Sequence, residues 1–166
     1  MSQWKTYNGP MPTTAAQQSV TTGTAIKTLL QLATPATTTI AIKAWGISFD
    51  GSAAAAGIKC ELVETGAVAA TVTAHVAAGI VRLSNPASTE TSTLTLGTAA
   101  TGYTASAEGT ITATRVLDAE LVQPTNQYIY QWPLGEWPRI EVSKFVRVRV
   151  TAAAAVNAVC WIEWDE

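Results

Sequence analysis

The chain has 166 residues and a net charge of −2, which suits one domain with one core. Hydrophobic residues make up 48% and charged residues only 13%, about half the usual share, so the chain folds but carries little charge to keep it apart from neighbours. The 29 alanines and 26 threonines form a third of the sequence, and so much Thr beside so little Lys and Glu points away from a helical bundle and toward an all-β protein.

Residues 1 to 23 hold Pro10 and Pro12, Thr and Gln pairs and no sustained period, and they read as an extended N-terminal arm. Trp4 and Tyr7 fall outside any strand pattern there. They are expected to dock on a neighbouring molecule, the other option being an arm that folds back along an edge of its own sandwich. From Thr24 alternation begins, with Ile26, Leu30 and Leu32 on one side and Lys27 and Gln31 on the other, giving a first strand over 24 to 32. Residues 38 to 49 set Ala41, Trp45, Ile47 and Phe49 against Ile40, Ile42 and Ala44. Two apolar faces mark a central strand.

Asp50-Gly51-Ser52 is a turn, and the short run Ala53 to Ala56 reads as loop. Ile58 to Glu64 alternates with Ile58, Cys60 and Leu62 inward and Lys59 and Glu61 outward. Residues 66 to 106, rich in Ala, Thr, Ser and Gly, form a long excursion with one short strand at Ser92 to Leu96. Strands then follow at Thr110 to Leu117, Glu120 to Gln123 and Gln127 to Gln131, the last two joined by a Pro124-Thr125-Asn126 turn. Trp132 to Pro138 cannot ladder because two of its residues are prolines, so it is a loop that packs or presents Trp132 and Trp137. In Phe145 to Val150 the valines face one way, and Phe145, Arg147 and Arg149 face out; a last strand covers Val156 to Trp164. About eight strands without an amphipathic helix give residues 24 to 166 as one antiparallel β-sandwich, for which a jelly roll is one fitting arrangement.

Reactive chemistry is hard to place. His75 is the only histidine and lies in an Ala/Thr-rich segment, as a surface or loop residue, with no Gly-x-Ser-x-Gly elbow to serve. Thr24-Ala25-Ile26-Lys27 echoes a nucleophile-x-x-Lys motif on what reads as a strand. The carboxylate groups Glu61/Glu64, Asp118/Glu120 and Glu163/Asp165/Glu166 lack a calcium-loop pattern and suit solvated strand edges and an acidic terminus. No glycine-rich phosphate loop occurs, and no metal or cofactor is expected. Cys60 and Cys160, each flanked by inward apolar residues, are expected to be buried, reduced thiols. There is no basic footprint for nucleic acid, no apolar run of membrane-spanning length and no apolar signal stretch near Met1, so synthesis in the cytoplasm without Sec export is expected. The six tryptophans, Trp4, Trp45, Trp132, Trp137, Trp161 and Trp164, share no single platform and suit core or subunit packing, while a sugar-stacking surface is the rival use. Arg147 and Arg149 suit a cross-strand or intersubunit salt bridge.

The segments Thr24 to Pro35 and Ile42 to Gly51, together with Tyr130-Gln131-Trp132-Pro133-Leu134-Gly135, Phe145 to Thr151 and Ala155 to Ala158, resemble small virion proteins of tailed bacteriophages, the capsid decoration or cement proteins. That resemblance implies a non-enzymatic protein on the outer capsid surface, bound to the major capsid protein lattice as a homotrimer at threefold positions, with no catalytic residues. The low charge fits a surface covered by neighbours. Candidate contact residues are Trp4, Tyr7, Trp132, Trp137, Arg147 and Arg149. The alternative from another class is a carbohydrate-binding module of a phage tail or host-attachment apparatus.

Overall fold

A computed structural model describes residues 2–10, 18–51 and 56–166. The strands are β1 (Gln3–Tyr7), β2 (Val20–Thr21), β3 (Lys27–Ala33), β4 (Ile40–Phe49), β5 (Ile58–Thr65), β6 (Thr71–Ala74), β7 (Ile80–Arg82), β8 (Gly102–Ala107), β9 (Thr114–Val122), β10 (Gln127–Gln131), β11 (Arg139–Ile140), β12 (Phe145–Thr151) and β13 (Asn157–Asp165). Among the described residues the one helical element is a 3-10 turn at Ala77–Gly79. The expected antiparallel β-sandwich is present. One sheet runs β10-β4-β13-β1-β7, with β11 beside β4 and β2 beside β13; the other runs β6-β8-β3-β12-β5-β9. Consecutive strands hop between sheets, as in β3 to β4 to β5, β9 to β10 and β12 to β13, which lets near and far halves of the chain share one core.

That core is filled from both sheets by Leu30, Leu32, Ile47, Leu62, Val148 and Ile162, around the fully buried indoles of Trp45 and Trp164. Three one-residue register shifts tune what enters it. In β4 the partners move from Ala44 opposite Glu163 to Ile42 opposite Trp164, so Lys43 is the extra residue. The slip reverses the facing of the strand, and Ile40, Ile42, Trp45, Ile47 and Phe49 all reach the same core. In β3 the extra residue is Leu29, buried beside Leu30, and the reversed phase leaves Ile26, expected inward, 45% exposed. In β9 it is Leu117, so what reads as two strands, Thr110 to Leu117 and Glu120 to Gln123, is one kinked strand.

The N-terminal segment is not a free arm. β1 lies inside a sheet, paired with β13 on one side and β7 on the other, and β2 also pairs with β13. Trp4 points inward opposite Trp164 and is 3% exposed. Of the expected arm, residues 11–17 lie outside the described residues, as do Ser52 to Ala55 of the expected loop after Gly51.

The excursion is likewise woven in, contributing β6 and β8 to one sheet and β7 to the other. Ser92 to Leu96 is no strand; Leu96 makes a lone bridge to Thr101 while Leu94 plugs the core. The remainder covers the outer face of the β3–β12–β5 sheet, and two polar side chains fasten it there. Gln31 donates to the carbonyls of Ala100 at 2.7 Å and Ala70 at 3.3 Å and accepts from Ala70 N at 2.9 Å. Arg147 is fully buried, donates to the carbonyls of Glu108 and Val68, and lies 3.6 Å from the Glu108 carboxylate. Its outward facing was legible, but the covering excursion makes it an internal anchor. Burial lowers its pKa, opposed by the Glu108 charge.

Cys60 and Cys160 are buried free thiols. Desolvation pushes Cys60 up to about 12 and Cys160 well above its ordinary value, so neither is a thiolate at neutral pH.

His75 lies in the loop that follows β6, one of the two positions expected, but it is buried rather than on the surface. Its Nε2 donates to the Tyr7 carbonyl at 2.8 Å and lies 3.2 Å from Thr6 Oγ1, while its ring packs at 4.8 Å on Tyr103. The imidazole thereby ties β1 to the excursion. Burial holds its pKa below the usual value, against the opposing pull of the Tyr7 carbonyl. The unfolded chain therefore binds the proton more readily, and the stability due to neutral His75 is complete above about pH 6.5 and declines as pH falls below it. Melting curves from pH 7.5 to 5 should show a steeper acid loss for the wild type than for His75→Gln, which keeps a donor but does not titrate. Parallel slopes would mean that His75 does not govern acid stability.

Candidate partner-binding flank

The six candidate contact residues are not brought together. Trp4 and Arg147 are inside the molecule. Arg149 pairs across the strands with its register partner Glu61 at 3.3 Å, both largely covered, which is the cross-strand bridge its position suggested. Tyr7 is half-buried on the outer face of the first sheet, opposite Trp161. There the Trp161 indole lies against Gly46, where an added Cβ would meet the ring at 2.7 Å. Lys5 Nζ sits 3.7 Å from the same ring centre and 2.8 Å from Glu163. The indole is wedged between backbone and ammonium rather than laid open as a stacking platform.

Trp132 and Trp137 do share a region. It is the flank where both sheets end on one side, with β9 as the edge of one and β10 followed by β11 along the edge of the other. Five large apolar side chains of β9, β10 and the loop after it are exposed: Val116 (56% exposed), Leu121 (63%), Ile129 (56%), Tyr130 (38%) and Leu134 (88%); the registers put Val116 and Leu121, opposite Val63 and Lys59, on the outer face of one sheet and Ile129, opposite Gly46, on the outer face of the other. Apolar residues exposed singly are ordinary on a protein surface, and what stands out here is Leu134, almost fully exposed on the loop between Trp132 and Trp137. None of these five was a candidate from sequence.

The flank is held stiffly. Asp118 accepts from Trp45 Nε1 and from Tyr128 Oη, each at 2.9 Å, and so joins the two sheets behind the surface. Desolvation, reinforced by this carboxylate, raises the Tyr128 phenol well above its ordinary pKa, so it stays a donor. Arg115 pairs with Glu64 and donates to the Arg139 carbonyl, tying β9 to β11. Tyr130 and Trp132 meet edge to face at 4.9 Å, and Lys43 Nζ stands 5.0 Å from the Trp137 ring centre.

Leu134 owes its exposure to turn chemistry. Glu136 N donates to the Pro133 carbonyl at 3.0 Å and Gly135 sits at φ +90°, the features of a type II turn with Leu134 at its first corner. Flanking prolines stiffen the approach. The result is an apolar tip whose conformation is set before any partner arrives.

Among the described residues no group of three or more His, Cys, Asp and Glu side chains converges as a metal site, and no helix is long and apolar enough to cross a membrane. Comparison of the chain with protein-family models, with curated protein sequences and with solved structures finds no match.

Proposed function

We propose that this protein is a non-enzymatic structural component of a bacteriophage virion, made in the host cytoplasm and bound as a homotrimer to the major capsid protein on the outside of the head. The observation that carries the reading is the exposed, turn-fixed Leu134 tip between Trp132 and Trp137, at the edge formed by β9, β10 and β11, on a protein with unusually little charge. The resemblance of the chain to decoration proteins supplies the kind of partner. Stabilisation would come from bridging capsid subunits through this flank, which needs rigid apolar surface and no reaction.

Light scattering of the purified protein is expected to give three times the chain mass, and microscopy of virions made from the encoding genome is expected to place it on the head surface. A monomer in solution that is also absent from purified heads defeats the proposal. The double variant Leu134→Asp, Ile129→Lys should keep its melting temperature, since exposed substitutions usually change stability by within about 0.5 kcal/mol. It should lose retention on heads at least tenfold, the equivalent of about 1.4 kcal/mol. Unchanged retention would show that the flank is not the contact.

A further inference from the structure

The free edges of the two sheets are not alike. β9 is kinked by the bulge at Leu117, and the carboxylates of Asp118 and Glu120 accept from the backbone N–H groups of Ala119 at 2.9 Å and of Leu121 at 3.1 Å. β7 is three residues long, and β6, with four, keeps an irregular register with β8. Shortness, bulges and charged side chains are the devices that keep a sheet edge from pairing with another chain. β10 lacks such protection. Its five residues, Gln127-Tyr128-Ile129-Tyr130-Gln131, include no charge and no proline and pair with β4 without a register shift. Among the described residues β10 has no second neighbour.

The direction of its backbone groups follows from the ends of the strand. Asn126 O accepts from Phe49 N at 3.2 Å and Trp132 N donates to Lys43 O at 3.0 Å, so the even-numbered residues between them also bond to β4. The N–H and C=O of Gln127, Ile129 and Gln131 therefore point to the open edge. The segment is also a palindrome. An identical strand laid antiparallel beside it, about a two-fold axis at Ile129, sets Ile129 on Ile129, Gln127 on Gln131 and Tyr128 on Tyr130. In that register every pair of odd-numbered residues exchanges two hydrogen bonds, and no edge group of the three is left over. The faces agree as well. Gln127, Ile129 and Gln131 stand opposite Ser48, Gly46 and Ala44 on the outer face, while Tyr128 and Tyr130 stand opposite Ile47 and Trp45 on the core side. Each side chain thus meets its own kind, amide on amide and phenol on phenol, with no like charges opposed.

We propose that β10 is a self-pairing edge, through which two copies of this chain join antiparallel so that the first sheet runs unbroken from one into the other. The contact is two-fold, so it does not rest on the threefold capsid reading, and a homotrimer that uses it becomes a pair of trimers. Five residues a side make a small interface, and the pairing therefore belongs to high concentration or to a lattice that already holds copies close together.

The test is sedimentation of the intact protein from about 10 micromolar to about 1 millimolar, the range of weak interfaces, where a doubling of mass is expected, from one chain to two or from three to six. Gln127→Lys with Gln131→Lys opposes like charges at both ends of the pairing and should weaken the step at least about tenfold, as should Gln127→Glu with Gln131→Glu. Mixing these two variants should restore it. Gln127→Lys with Gln131→Glu opposes unlike charges and should keep the step unaided. Both positions are exposed, so melting temperatures should stay near that of the wild type. Amide exchange at Gln127, Ile129 and Gln131 should slow as the wild-type concentration rises. A doubling that all the variants share, or that leaves those three amides fast, would place the contact elsewhere and overturn the proposal. Loss of the step in the unlike-charge variant, or no doubling at the highest concentration, would overturn it as well. A mass fixed at three chains would do so while leaving the trimer standing, whereas a one-to-two step supports the pairing and counts against the trimer.

Discussion

Replacing Arg147 by Ala is expected to cost about 3–5 kcal/mol, the usual penalty for removing one member of a buried ion pair. The guanidinium is fully buried, and its loss strands the carbonyls of Val68 and Glu108 and the carboxylate of Glu108. Glu108 has other partners, since it accepts from Thr28 N at 2.6 Å and Thr28 Oγ1 at 2.5 Å, so it would stay near its place rather than swing into water. The damage should therefore be local first. Hydrogen exchange should accelerate most in residues 66–70 and 108–113, which the guanidinium pins to the outer face of β12, while β4 and β13 on the other sheet exchange at nearly the wild-type rate. Urea melts would give the total cost. A loss below about 1 kcal/mol, the range of exposed pairs, would mean that Arg147 is hydrated and not the anchor described.

The same residue shows how far the sequence could be read. Alternation in Phe145 to Val150 gave the facing of every side chain correctly, because period 2 is a property of the strand alone. What lies over the outward face is set by a segment some 40 to 80 residues away, rich in small residues that carry no periodic signal. Burial of Arg147, Gln31 and His75 was therefore hidden. The bulges at Leu29, Lys43 and Leu117 obscured the rest, since each reverses the phase on which a strand reading depends. Trp45 and Ile42 read as opposite faces of a central strand, yet both enter one core. The flank was legible only in part: Pro133-Leu134-Gly135 announced a turn beside Trp132 and Trp137, but that β9 and β10 end different sheets on the same side is a matter of topology.

Deleting residues 1–9 is expected to prevent folding rather than merely to loosen an attachment, although the proline-bearing, aperiodic N-terminus reads as an arm that the domain could spare. β1 is an interior strand, and its removal strips β13 and β7 of a shared neighbour and opens the core beside Trp164. Loss of the Trp4 side chain alone should cost about 3–5 kcal/mol, as for other buried Trp to Ala changes. The deletion also removes Asn8, whose side chain donates to Ala158 O at 3.0 Å and accepts from Cys160 N at 2.9 Å, and the Tyr7 carbonyl that orients His75. These losses together approach the 5–15 kcal/mol that holds a typical domain folded. The truncated chain should be insoluble or bind a hydrophobic dye without a cooperative melt, and Trp4→Ala should fold with a clearly lowered urea midpoint. A truncated protein that melts cooperatively within a few degrees of the full chain would show that β1 is an accessory strand, and would return the N-terminus to the role of a docking arm.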